Sequence, residues 1–160
     1  MTTIQQLAKH FREVYFGGNW TFANVSDTIK DVTWEQATQE IYQLNSIATL
    51  VFHINYYVKP IEKVLQGGPL EASDKFSFDV PAIQSHAEWE QLINRVLEEA
   101  SEFADEIEKL QESDLSKIFS EEKYGNYFRN LLGVIEHTHY HLGQISLLKK
   151  ILQQNSNSTL

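Results

Sequence analysis

No cysteine occurs anywhere in the 160 residues. That excludes disulfides, thiolate metal ligands and a cysteine nucleophile, so any thiol chemistry would need its thiol on the substrate. Basic residues are scarce as well: 13 Lys and Arg face 22 Asp and Glu, for a formal net charge of -9. Nucleic acids and anionic membrane surfaces are bound chiefly by neutralising phosphates with Lys and Arg, so neither is an expected partner. No apolar run approaches the ~20 residues needed to cross a bilayer. The start, MTTIQQLAKHF, lacks the basic stretch, apolar run and small-residue cleavage site of a signal peptide. The expectation is a soluble cytoplasmic protein. Alternating β-branched segments are missing too; FSFDV at 76–80 comes nearest, and Pro81 cuts it short.

What the chain has instead is helical periodicity. Between 85 and 110, Trp89, Ile93, Val96, Ala100, Phe103, Ile107 and Leu110 recur in steps of 4 and 3, forming one stripe. Ser85 and Glu88 form a capping box at its start. The acidic run Glu98, Glu99, Glu102, Asp105, Glu106 and Glu108 lies mostly off that stripe and reads as a solvated face. A final helix over roughly 122–153 carries Tyr127, Leu131, Val134, Thr138, His141, Ile145, Leu148 and Leu152 in the same rhythm. A helix at 46–66 aligns Ile47, Leu50, Ile54, Tyr57, Ile61 and Val64, with Asn45 as expected N-cap, Pro60 as kink and Gly67-Gly68 as stop. Ile4, Ala8, Phe11 and Tyr15 begin a further stripe that Gly17-Gly18 interrupts. Segment 17–44 is expected to be partly irregular, with a short helix opened by the Thr33–Gln36 capping box.

The fold class predicted is therefore all-α. The connection from 67 to 84 has 18 residues. At ~3.3 Å each it can run the ~30 Å length of a 20-residue helix, letting the second and third long helices lie parallel. A four-helix bundle with one long crossover follows, as a single domain over 1–154 with a polar tail, 155–160, expected to fray.

Chemistry concentrates in HTHYHLGQI at 137–145, which holds three of the six histidines. His137 and His141 stand four residues apart, one helical turn above each other, and can reach one ion. His139 points to the other side. His53 flanks the stripe of the second long helix in an otherwise apolar stretch and is the third candidate, although periodicity does not set its height relative to the pair. Buried imidazoles need hydrogen bonds or a metal, since an unpaired buried polar group costs on the order of 1–3 kcal/mol. His10 and His86, near helix starts and without partners, read as surface residues.

Thr138 stands where the HExxH metalloprotease pattern requires a glutamate, which argues against a zinc protease. Three histidines with no fourth protein ligand describe an open site, and imidazole suits zinc, nickel, iron and copper alike. Gln144, three residues beyond His141, shares the inward face and is placed to orient a ligand or a bound water. Gly133 and Gly143 interrupt the helix at ~1 kcal/mol each, which fits close approach of a neighbour. No carboxylate is placed beside the histidines; Glu136 is turned away from His137, so no catalytic base is assigned.

The stretches NSIATLVFHINYY at 45–57, GGNW followed by DVTWEQA in the first quarter, and HTHYHLGQI near the end resemble the DinB/YfiT-like superfamily of bacterial helical bundles. The resemblance covers nearly the whole chain. It implies an up-down-down-up bundle, a divalent metal, zinc or nickel foremost, on His53, His137 and His141, and frequently a homodimer. Tyr57 and Trp20 would line its pocket. Members with known activity transfer low-molecular-weight thiols to small electrophiles in a metal-dependent manner, with a few isomerases and hydrolases. The competing expectations are a non-catalytic metal-binding bundle and an interaction protein without metal.

Overall fold

In the computed structural model of the chain, which describes residues 1–157, the apolar stripes become helices in the expected places, with boundaries moved by local capping chemistry. Helix α1 spans Thr3–Phe16, opened by a Thr2–Gln5 capping box and ended at Gly17, whose φ of +107° only glycine adopts freely. Two short helices, α2 (Val25–Ile29) and α3 (Trp34–Thr38), occupy the irregular segment. The Thr33–Gln36 capping box forms in both directions.

The second long helix is divided. Helix α4 covers Ile47–Tyr56 and α5 covers Val58–Leu65, with the break at Tyr57. Pro60 explains the position: it has no N–H for the Tyr56 carbonyl four residues back, and its ring crowds that oxygen. The N-cap is Ser46, whose hydroxyl accepts from the Thr49 amide at 3.2 Å, and not the expected Asn45. Helix α6 runs His86–Glu108. Ser85 caps it, but the Glu88 carboxylate accepts from the Gln84 amide, one residue before the partner a capping box would use.

Helix α7 runs Tyr127–Asn157. It starts five residues later than the periodicity suggests because Gly125, at φ +75°, turns the chain after a 3-10 turn at Glu122–Tyr124. Residues 155–157 of the polar tail continue the helix, and 158–160 lie outside the described residues. No β-strand occurs among the described residues, only a lone antiparallel bridge between Ile118 and Asn126. Among the described residues no helix is long and apolar enough to cross a membrane.

Helix α1 packs on α6 and α7, α4 packs on the same two, and α5 lies against α6. The shared core includes Phe11, Tyr15, Ile47, Ile54, Trp89, Phe103, Leu131, Leu142 and Ile145, all essentially without solvent contact. Burying each such large apolar side chain contributes roughly 1.5–3 kcal/mol. Two polar ties fasten the irregular segment to this core. Trp89 Nε1 donates to the Val32 carbonyl at 2.8 Å, and Lys149 Nζ donates to the Thr28 carbonyl at 2.9 Å. Between α5 and α6, residues 67–85 form an extended crossover with a single 3-10 turn at Asp74–Phe76. That crossover passes over the histidines.

Candidate metal centre

His53 sits in the apolar middle of α4, and His137 and His141 lie one turn apart on the inward stripe of α7. Because α4 packs directly on α7, the three imidazoles meet. One nitrogen from each lies within 4.8 Å of the others, and the two ends of the range are informative. His53 Nε2 and His137 Nε2 are 3.0 Å apart. A tetrahedral ion with Zn–N bonds of ~2.0–2.1 Å separates its ligand nitrogens by roughly 3.3 Å, so the His53–His137 pair already stands near that spacing, while the wider separations, up to 4.8 Å, would have to close for the three to hold one ion.

Two of the other ring nitrogens are already committed. His53 Nδ1 donates to the Ser77 carbonyl at 3.0 Å, and His141 Nδ1 donates to Gln144 Oε1 at 2.7 Å. Both acceptors are carbonyl oxygens, so in the neutral form of each ring the proton sits on Nδ1 and the lone pair on Nε2. The tautomers suit a metal ligand, and the donor set fits a divalent ion. His53 and His141 are buried, at 5% and 8% exposure, and His137 is half-buried.

Electrostatics favour the neutral forms of His137 and His53. Burial, reinforced by the neighbouring His141 and His53, pushes the His137 pKa down to about 4. Burial also holds His53 below the usual imidazole value, partly opposed by its hydrogen bond to the Ser77 carbonyl. Protons therefore compete weakly for the nitrogens that would bind the ion.

The crossover completes the surroundings. Phe78 stacks on His53 with centroids 3.8 Å apart and planes 9° from parallel. Tyr57 stands edge-on to both His53 and His137, its hydroxyl donating to Asp74 Oδ1 at 2.9 Å. Beneath the pair, Thr138 returns its hydroxyl to the Val134 carbonyl at 2.8 Å, so this buried polar residue is satisfied within the helix and leaves the ligands alone. A cavity of about 360 Å³ opens from His137, lined by Tyr57, Ile61, Lys123, Tyr124, Arg129 and Gly133 among others.

The structure thus brings together His53, His137, His141, Gln144 and Tyr57. Trp20 does not join them. It is 94% exposed and lines a separate cavity, of about 410 Å³, with His10, His139 and Gly143. His139 faces away from the triad as expected, whereas His10 is not a plain surface residue: it is half-buried, its ring 5.8 Å from that of His139. His86 is exposed, 4.0 Å from Glu90.

Sequence reasoning missed Ser77 and Phe78, which sit in the connection read as the long crossover, and the cations Lys123 and Arg129. A clue was the placement of Phe76 and Phe78 in a connection otherwise too polar to need them. Comparison with protein-family models, with curated proteins and with solved structures finds no match to this chain.

Proposed function

We propose that the chain is a metal-dependent transferase that adds a low-molecular-weight thiol to a small electrophile. We further propose a DinB/YfiT-like bundle of four long helical units, α1, α4–α5, α6 and α7, in up-down-down-up order, acting in the cytoplasm as a homodimer. The observation that carries the reading is the convergence of the Nε2 atoms of His53 and His137 at 3.0 Å, beside a His141 whose Nδ1 is likewise engaged by a carbonyl oxygen. Three imidazoles with no fourth protein ligand among the described residues leave room for substrate.

When bound, a divalent ion, zinc or nickel foremost, supplies Lewis acidity that makes a thiol or water more acidic at neutral pH. The rest falls to the chain. His53, His137 and His141 act as ligands and not as bases, because holding an ion uses the nitrogen a base would need. Ser77 and Gln144 fix two of the ring orientations, and Phe78 shields one face of His53 from water. The cavity beside His137 receives the reactants.

The test is metal analysis of protein purified without an immobilised-metal column, compared with His53→Ala and His141→Ala. About one equivalent in the parent and none in the variants is expected. Parent protein without metal, or variants that retain it, would overturn the metal reading. Turnover of an electrophile panel with several thiols, abolished by chelation and restored by metal, tests the transferase step.

A further inference from the structure

We propose that the cavity beside the histidines binds an elongated anionic ligand, with one end at the triad and an oxyanion, carboxylate or phosphate, at the Arg129 guanidinium. The inference rests on the metal reading above and adds the charge and length of what the site takes.

Arg129 is the first observation. In a chain with 22 acids and 13 bases, most cations are paired, yet no carboxylate lies within ion-pair distance of Arg129 among the described residues. The side chain is nonetheless positioned. Its Nη1 donates to the Tyr124 carbonyl at 3.2 Å, and its stem lies across Gly125, where an added Cβ would come 3.0 Å from Cδ and 3.4 Å from Nη1. Four of the five guanidinium donors remain for a ligand, in the fork geometry that suits an oxyanion.

Its location is the second. Arg129 lies in the first turn of α7, which contains no acid. A cation there opposes the helix dipole and adds to the positive potential of that helix end. Lys123 lines the same cavity, its ammonium 3.1 Å from Glu121, and the nearest unpaired carboxylate, Asp74, lines the adjoining pocket, where it accepts from the Tyr57 hydroxyl and keeps its negative charge. Among the residues lining the cavity itself, Arg129 is the charge without an ion-pair partner.

The third observation sets the length. Arg129, Gly133 and His137 line one cavity. Eight residues of helix separate the first from the last, roughly 12 Å at 1.5 Å per residue. Between them Gly133 has no side chain, and nothing lies within 4 Å of where its Cβ would stand. This leaves a track along α7 from the triad to the guanidinium.

Calorimetric titration of the zinc-loaded protein tests this with four probes: mercaptooctanoate, its carboxamide, the phosphonate of the same length, and the short mercaptopropionate. A charge-assisted contact should make mercaptooctanoate or its phosphonate at least about tenfold tighter than the carboxamide. The better of the two identifies the oxyanion. Arg129→Gln should erase the preference with zinc content unchanged, and Gly133→Val should weaken mercaptooctanoate while sparing mercaptopropionate. Equal binding of charged and neutral probes, or a preference that survives Arg129→Gln, would overturn the inference alone. A protein that takes up no zinc would overturn the metal reading and this inference with it.

Discussion

His53 Nε2 and His137 Nε2 face each other at 3.0 Å across the α4–α7 contact. With the His53 proton held on Nδ1 by the Ser77 carbonyl, the metal-free protein has one arrangement for this contact: His137 donates and His53 accepts. A bound ion would replace that single hydrogen bond, with the three rings as the residues that hold it. Because the unfolded chain offers no preformed triad, binding feeds directly into folding stability. Free zinc at 100 times its dissociation constant should add about 2.7 kcal/mol. For a domain of this size that corresponds to a rise in Tm of roughly 5–10 °C. Differential scanning calorimetry with zinc and with a chelator checks it, and His53→Ala should show no difference between the two conditions.

Gln144 touches the site only through His141, so its removal separates orientation from ligation. Its Oε1 accepts from His141 Nδ1 at 2.7 Å and so keeps the lone pair on Nε2. Loss of such an outer partner typically weakens metal binding 10–100-fold. Gln144→Ala should bind zinc more weakly by about that factor while retaining full stoichiometry at saturation. Competition against a chromophoric chelator reads this out, and unchanged affinity would show that the contact does not support the ligand.

The depressed pKa of His137 sets a pH dependence whose sign differs from that of an ion-paired histidine. In the unfolded chain it takes a proton near 6.5, whereas burial beside His141 and His53 holds it neutral to about 4 in the fold. Between these values the unfolded state binds more protons, so stability rises with pH and is lost as pH falls. The metal-free protein should therefore lose stability from about pH 6.5 downward. Carboxylates with lowered pKa, such as Asp31 beside Lys149 and Glu112 accepting from the Ile4 amide, add their own losses only at more acidic pH. His53 and His139 are shifted in the same direction as His137, so His137→Gln should flatten the slope between pH 6.5 and 4.5 in part. Urea titrations at closely spaced pH values measure it.

What could be read from the sequence divides by periodicity. The inward faces of α6 and α7 followed directly from apolar spacing, and with them the placement of His141 and Gln144. His53 was visible as a polar residue in an apolar run, but its height opposite the pair depends on how α4 packs against α7, which spacing within one helix does not encode. The crossover was least legible. Its contributions are a backbone carbonyl from Ser77, which any residue could supply, and an aromatic face from Phe78, whose direction follows from a non-periodic loop. Trp20 was misplaced for a related reason: the positive-φ glycines at 17 and 18 redirect the chain, so the tryptophan lines the cavity of His10 and His139 instead. Asn45 and Ser46 are both good N-caps, and only backbone geometry chose between them.

Gly125 joins the fold to the proposed binding track. Its φ of +75° with ψ of -148° falls in a region open essentially to glycine alone, and holding another residue there costs of order 1–3 kcal/mol. Alanine meets a second obstacle, since its Cβ would stand 3.0 Å from Arg129 Cδ, and relieving that contact moves the guanidinium off the Tyr124 carbonyl. Gly125→Ala should thus lower stability by about 1–3 kcal/mol in urea titration. Zinc stoichiometry should remain intact, because the ligands sit further along α7 and on α4. If the arginine is the anchor for an oxyanion, the same substitution should also weaken mercaptooctanoate binding while leaving mercaptopropionate unaffected. Gly133→Ala, at a position with open space above it and ordinary helical backbone, should raise stability slightly, by up to ~1 kcal/mol, as alanine does for glycine inside a helix. The opposite signs at two glycines eight residues apart distinguish a backbone requirement from a track kept clear for ligand.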